Sequence, residues 1–307
     1  MLARALCLSL LLEVALYVAV ASEIFDASPA AAGLAALAGV LGLRALLVAA
    51  SYACAFAWHS PAPRLSAAQT IRMVLAEYAA FVVCFVLIFP VERWWMGTDR
   101  LPGANRGAAG RRPPVLLVHG YGCSRGAWWW LRRRLEAAGW TVATISLEPV
   151  YASIDDYVEP LARRIDAVLA QTGSDRLLLV GHSMGGLVAR RYLQRCGSAR
   201  VARLVTLGTP HQGSQLAHIG AGENARQMRP HSDWLRALAN PAPLLDTVVI
   251  YSPHDNFVMP QANLELPGAT ARAIDGLGHL AMLFSPRVAV ALLAALAAAG
   301  GAAGSGR

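Results

Sequence analysis

The sequence predicts an α/β architecture, a mainly parallel sheet of about six strands flanked by helices, preceded by an apolar helical region. Three observations predict it. Only 15% of the 307 residues are charged and 56% are hydrophobic, where an ordinary soluble domain carries about a quarter charged residues, and the shortage lies almost wholly before residue 92. From Val115 onward, short runs rich in Leu and Val alternate with helical stretches, the pattern of strands buried on both faces of a parallel sheet. Between one such run and the next helix stands Gly181-His182-Ser183-Met184-Gly185, the signature of a sharp strand-to-helix turn.

Residues 1–92 contain three apolar runs, 2–21, 33–58 and 71–90. Each reaches the roughly 20 residues that cross a bilayer, so three transmembrane spans are expected, with two as the fallback. The first is too long, and too interrupted by Glu13, for a cleaved leader. Apart from Arg4 and Arg72 at their ends, each run carries a single charge: Glu13, Arg44 and Glu77. A charge near the bilayer centre costs about 2.5–3.5 kcal/mol unless it is paired. Antiparallel helices bring Glu13 and Arg44 to similar depth, which reads as a structural ion pair, while Glu77 lies nearer the end of its own run. Arg4, Arg64 and Arg72, set against the acidic first loop with Glu23 and Asp26, place the N-terminus and second loop inside and the following domain outside. The arginines at 93, 100, 106, 111 and 112 oppose that orientation. Trp94-Trp95 read as an interfacial anchor.

Residues 93–114 are rich in Gly, Pro and Arg, a linker composition. The α/β domain then runs over 115–298, with a flexible tail at 299–307. Its expected strands are 115–118, 141–146, 176–180, 201–207, 247–251 and 270–274. Its expected helices are 126–138, 154–171, 184–195 and 286–299. A short cap segment, 213–243, interrupts the alternation; its Met228, Trp234, Leu235 and Leu238 read either as a lid facing Trp128-Trp129-Trp130 or as ordinary core.

The net charge of +8 comes from arginine alone, with no lysine. That is a composition bias rather than a nucleic-acid footprint, and Arg132-Arg133-Arg134 read as a solvated helix face. The five cysteines, at 7, 54, 84, 123 and 196, show neither CxxC nor metal-ligand spacing, so no metal site is expected. Cys123 and Cys196 pair only if the fold brings them within reach.

The chemistry centres on Ser183. Glycines at 181 and 185 allow a turn too tight for side chains, so the Ser183 hydroxyl projects above the sheet at the start of a helix. A serine hydroxyl needs a base. His279, in Asp275-Gly276-Leu277-Gly278-His279 after the last strand, is the histidine of the eight best placed to reach it. His119 reads as loop-bracing and His182 as pointing away. The base needs an acid to fix its tautomer. Asp255 follows the fifth strand; Asp246 starts that strand at the wrong end, and Asp275 lies only four residues from His279. Two backbone donors must face the developing oxyanion: the N–H of Met184 and that of Tyr121, in His119-Gly120-Tyr121-Gly122.

Residues 115–290 resemble bacterial lipases of the α/β-hydrolase superfamily. The resemblance rests on Val118-His119-Gly120-Tyr121-Gly122, Gly181-His182-Ser183-Met184-Gly185-Gly186, and Thr206-Leu207-Gly208-Thr209-Pro210-His211-Gln212-Gly213-Ser214. Asp255-Asn256 and Gly278-His279 add to it. It implies a minimal α/β-hydrolase fold, the order Ser183, Asp255, His279 of that class, and hydrolysis of carboxylic esters, often acyl lipids, with no cofactor. The expected setting is a bacterial inner membrane with the catalytic domain on its periplasmic side. An acyltransferase on the same fold and a catalytically inactive membrane protein are the competing readings.

Overall fold

The structure, a computed structural model, describes residues 1–103, 112–239 and 245–301. Six parallel strands form one sheet in the order β2-β1-β3-β4-β5-β6. They are β1 (Val115–Val118), β2 (Val142–Ile145), β3 (Leu177–His182), β4 (Val201–Leu207), β5 (Thr247–Tyr251) and β6 (Thr270–Ala273). The chain steps outward from β1 to β2, then crosses back to β3 on the other side of β1. This reversal leaves a crevice at the carboxyl ends of β1 and β3, where open α/β sheets bind ligands.

Each sheet face carries its own core. Beneath one face, Leu116, Val118, Leu177 and Leu179 pack on α6 (Val158–Thr172) and α7 (Met184–Cys196). On the other, Val115, Leu117, Leu178 and Val180 meet α5 (Trp129–Ala137), α10 (Pro286–Gly301) and the apolar N-terminal region. The predicted tail therefore begins as the end of α10; residues 302–307 lie outside the described part. Strand β6 is exposed along its length, as an edge strand is.

Three N-terminal helical segments are long and apolar enough to cross a membrane. Helix α1 (Leu2–Phe25) and α2 (Pro29–Ala57) form an antiparallel hairpin in which Arg44 pairs with Glu13. The third segment begins as α3 (Ala67–Val82), behind a capping box of Ser66 and Gln69. It loosens into a π-helical turn, Val83–Ile88, tightens through Phe89–Val91, and ends as α4 (Glu92–Met96). Pro90 explains the irregularity, because it lacks an N–H to continue the helical ladder.

Two sequence expectations change here. The third segment does not stand apart from the sheet: Ala80, Cys84, Ile88 and Phe89 are buried in the same core as β1 and β3. The second loop also touches the α/β unit. Gln261 Oε1 accepts from Ser60 N at 2.8 Å, and His254 Nε2 lies 2.9 Å from the Pro63 carbonyl oxygen. These contacts seat the second loop directly against the α/β unit. Within the expected linker, Asp99 is anchored as well. Its carboxylate accepts from Thr144 N at 2.8 Å and pairs with Arg132 and Arg164 at 3.1 and 2.6 Å. Residues 104–111 lie outside the described part.

Candidate active site

The strand-to-helix turn after β3 has the geometry its glycines require. Ser183 sits at φ 55°, ψ −129°, a region that a residue with a Cβ occupies only when its surroundings hold it there. A Cβ on Gly181 would meet the Gly186 backbone nitrogen at 2.5 Å, and one on Gly185 would meet the Val118 carbonyl oxygen at 2.2 Å. Both positions are closed to any side chain. The serine is half-buried at the N-terminus of α7.

His279 and Asp255 come together from the loops after β6 and β5. His279 Nδ1 donates to Asp255 Oδ2 at 2.7 Å, and both side chains are buried. The other Asp255 oxygen accepts from the backbone N–H of Phe257 and Val258, each at 2.8 Å. The carboxylate is thereby fixed by three donors. Asn256 Oδ1 accepts from His279 N at 2.9 Å, which ties the two loops together. Burial disfavours a charged imidazole at 279, but the Asp255 carboxylate, by charge and hydrogen bond, and the charge of Glu77 outweigh it; the pKa of His279 lies above the ordinary histidine value. Asp275 instead lines a separate groove with Leu65, Arg72 and Arg287. Asp246 pairs with Arg203 at the start of β5.

Ser183 and His279 line one cavity of about 260 Å³. Gly120 closes its β1 side: a Cβ there would lie 2.7 Å from Ser183 Cβ and 3.3 Å from Ser183 Oγ. The backbone at Gly120-Tyr121 thus passes directly beside the serine. Tyr121 reaches further, its hydroxyl donating to the Ala221 carbonyl oxygen at 2.8 Å and accepting from Ala221 N at 2.9 Å. Met184 opens α7 immediately after the serine.

The remaining walls are apolar: Leu216, Ile219 and Met228 from the cap, Phe257 and Val258 from the Asp255 loop, and Phe85 from the π-helical turn. The cap holds α8 (Gly222–Gln227) and α9 (Asp233–Ala239); residues 240–244 lie outside the described part. Of the expected cap contributors, Met228 lines the cavity. Leu235 and Leu238 are buried in the core beneath the sheet, and Trp234 packs against it. Trp128-Trp129-Trp130 do not line the cavity. Trp128 is fully buried in the opposite core, and Trp129 and Trp130 lie under the guanidinium groups of Arg133 and Arg134. The helical turn beginning at Arg125 aims them there. Cys123 and Cys196 are free thiols, one buried and one exposed.

Histidines at 119 and 182 show two outcomes. His119 Nε2 accepts from Leu147 N at 2.9 Å and braces the loop, as its position suggested; burial lowers its pKa to about 4, so it is neutral. His182 lies nearer the serine than the sequence indicated. It lines the cavity, its ring centroid is 4.7 Å from that of His279, and its Nε2 is 3.3 Å from the His279 carbonyl oxygen. Burial, with the neighbouring His279 charge, pushes its pKa well down, so it supports His279 as a neutral group. Neither Phe85 nor Glu77 was foreseen here, since both lie in an apolar run more than 90 residues before the serine.

A family model described as the alpha/beta hydrolase fold matches residues 113–234. Among solved structures, the mature lipase BlEst2 of Bacillus licheniformis aligns with a TM-score of 0.56 at 19% identity, covering 64% of this chain and 96% of that one. The fold is that of the α/β hydrolases. At that identity the likeness concerns the fold alone. Triacylglycerol lipases of Pseudarthrobacter phenanthrenivorans and Burkholderia plantarii are each 36% identical over 119 residues, which is 36% of this chain and 36% and 32% of theirs. A probable esterase, PIR7A, of Oryza sativa subsp. indica is 34% identical over 128 residues, 38% of this chain and 46% of its own. The chain thus spans between about a third and a half of those curated relatives.

Proposed function

We propose that this chain is a membrane-associated serine hydrolase that cleaves carboxylic esters, with acyl lipids as its substrate class. The observation that carries the reading is a Ser183 held in a strained turn, sharing an apolar cavity with a His279 whose Nδ1 is fixed by buried Asp255. With Nδ1 occupied, Nε2 is the basic nitrogen. It takes the Ser183 proton as Oγ attacks the ester carbonyl carbon, and the carbonyl π electrons move onto oxygen. The N–H groups of Tyr121 and Met184 receive that oxyanion. Its collapse expels the alcohol, which leaves with the proton from His279, and water then releases the acid from the acyl-Ser183 by the same steps. The apolar lining and the lipase names of the relatives support an acyl chain as the bound group. The test is labelling of the detergent-solubilised chain with a fluorophosphonate, followed by p-nitrophenyl esters of increasing chain length. Labelling on Ser183 with turnover of the esters is expected; an unlabelled, inert protein would defeat the proposal.

Phe85 brings the third apolar segment into this pocket, stacked on Phe81 at 4.7 Å and edge-on to Phe89 at 5.1 Å. Phe85→Ala opens the wall and should shift preference toward longer acyl chains. The ratio of kcat/KM between long and short esters should change on the order of tenfold, the worth of a methylene or two in an apolar pocket. An unchanged chain-length profile would remove Phe85 from the acyl site.

For the membrane arrangement, the α1–α2 hairpin is the element we assign to the bilayer. Leu8, Leu12, Leu16, Leu34, Leu37 and Leu46 are exposed on it, an apolar surface that lipid would cover. The third segment docks along the α/β unit, which α2 also reaches near its C-terminal end through Ser51. A two-span hairpin returns the chain to the side it started from, so the N-terminus, the second loop and the catalytic unit share one side. Arg4, Arg64, Arg72 and the arginines from 93 onward then lie together, opposite the acidic loop with Glu23 and Asp26. By the positive-inside rule that side is the cytoplasm, the reverse of the orientation that three spans give. A C-terminal green fluorescent protein fusion should fluoresce and a C-terminal alkaline phosphatase fusion be inactive. The opposite pair of results would restore three spans.

A further inference from the structure

The third apolar segment contributes more than a wall to the site. Glu77 lies one-third of the way along it, in a run of Ala, Leu, Met and Phe where a carboxylate has no aqueous partner. Its side chain is completely buried. Oε1 accepts from Leu280 N at 3.0 Å and Oε2 accepts from Ala281 N at 2.8 Å. These are the two residues directly after His279, at the start of a short helical turn spanning Ala281–Phe284. Gly278, directly before His279, completes the contact. A Cβ there would fall 2.4 Å from Glu77 Oε2 and 2.7 Å from the Tyr52 hydroxyl of α2, so only glycine lets the loop approach the helices this closely. A second link runs in parallel. Asn256, whose Oδ1 holds His279 N, donates through Nδ2 to Ser51 Oγ of α2 at 2.7 Å. Glu77 therefore holds the backbone directly after His279, and Ser51 anchors the Asn256 side chain that holds His279 N.

A buried carboxylate without partners is heavily penalised, and it is retained only where hydrogen bonds compensate. Here the compensation is spent on two backbone N–H groups of the loop that carries His279. We infer that Glu77 is a positioning residue, holding the His279 loop so that the imidazole meets both Asp255 and Ser183, and that the N-terminal helices are in this way an integral part of the catalytic site. The inference rests on the serine-hydrolase reading above. It also explains why an acidic side chain persists in an apolar helix: the group it serves is in the α/β unit, not in the hairpin, where Glu13 and Arg44 satisfy each other.

The groups that face Glu77 are His279 and Asp255 from the loops, Tyr52 from α2, and Cys84 from its own segment. Among these, His279 is the one whose protonation state the acylation step reads. Burial raises the Glu77 carboxyl itself to about 7. Once ionised it favours the imidazolium form of His279, so removing it should move the acid-side inflexion of the reaction to lower pH, by less than a fully ionised neighbour would.

The experiment compares fluorophosphonate labelling rates of the full chain in detergent across pH for the wild type, Glu77→Gln, Glu77→Asp and Met73→Ala. Met73 is buried on the same segment and touches neither loop by hydrogen bond, so it reports the effect of merely loosening the helix. Glu77→Gln keeps the shape but presents an amide N–H₂ to one of the two backbone donors. It should label on the order of tenfold more slowly, within the roughly 10²-fold that a displacement of about 1 Å can cost, and its inflexion should fall to lower pH. Glu77→Asp keeps the charge on a shorter arm, so it should slow labelling with little movement of the inflexion. Met73→Ala should lower the melting temperature and leave the inflexion in place. Glu77→Gln labelling at the wild-type rate with an unshifted inflexion would overturn the inference, as would Met73→Ala reproducing its full pH shift. A wild type that does not label at all would instead defeat the serine-hydrolase reading itself.

Discussion

Ser183→Ala should abolish both fluorophosphonate labelling and ester turnover while leaving the fold intact. The size of the effect follows from how the site works. Nucleophile and base act as a unit, so losing the nucleophile alone costs about as much as losing the whole group, on the order of 10⁶-fold in kcat. What survives is the modest rate that an oxyanion hole and binding alone can give water, about 10³–10⁴-fold over the uncatalysed reaction. The fold should survive because alanine carries the same Cβ into the same backbone. Ser183 sits at φ 55°, and the strain there belongs to any residue with a Cβ, so the substitution neither adds nor relieves it. The Cβ packs beside Gly120 in both proteins. A melting temperature within a degree or two of wild type, with no label incorporated, is the expected pair of results. Label retained on the variant would place the nucleophile elsewhere and remove the basis for every role assigned here.

The parts of this fold that were legible in the sequence are those set by short-range rules. Strands such as Val115–Val118 and the first four residues of Leu177–His182 are buried on both faces, so they read as unbroken apolar runs bounded by turns. The sharp turn at Ser183 is a local necessity of two glycines, and its backbone follows directly from them. Asp255 could be preferred over Asp246 and Asp275 because strand ends are counted along the chain, and the structure pairs Asp255 with His279. Direction of side chains around a helix is harder. The Trp128-Trp129-Trp130 run reads as pocket lining until the phase of the helical turn sends Trp128 into the core. Glu77 was not legible at all. Its partners are backbone N–H groups about 200 residues away, which have no residue-type signature, and an isolated acid in an apolar run points first to a charge within the membrane. The same limit applies to the third apolar run: its length and hydropathy cannot reveal that Ala80, Cys84, Ile88 and Phe89 share a core with a sheet that follows it.

His279→Ala should be nearly as damaging as loss of the serine, and Asp255→Asn should cost less, about 10⁴-fold in kcat. The difference has a structural cause. In the proposed mechanism His279 is the acceptor of the Ser183 proton, and its loss removes that step. Without the Asp255 carboxylate the imidazole remains, but Nδ1 loses the acceptor that fixes its tautomer and the charge that stabilises its protonated form. The pH dependence separates these roles. The base works when neutral, so the acylation rate falls as pH drops through the His279 pKa. Burial pulls that pKa down, but Asp255 and Glu77 together hold it above the ordinary histidine value, so the wild-type inflexion should lie above about 6.5, where an unperturbed histidine titrates. Asp255→Asn leaves burial opposed by Glu77 alone, and the inflexion should move to lower pH even as the plateau rate collapses. Asp275→Asn should do neither, since Asp275 lines a different groove beside Arg72 and Arg287. The decisive measurement is kcat/KM for one p-nitrophenyl ester from pH 5 to 9 in all four proteins. A crippled Asp275→Asn beside an active Asp255→Asn would transfer the acid's role to Asp275. An Asp255→Asn enzyme that kept the wild-type inflexion would mean that this carboxylate anchors its loop without acting on the imidazole.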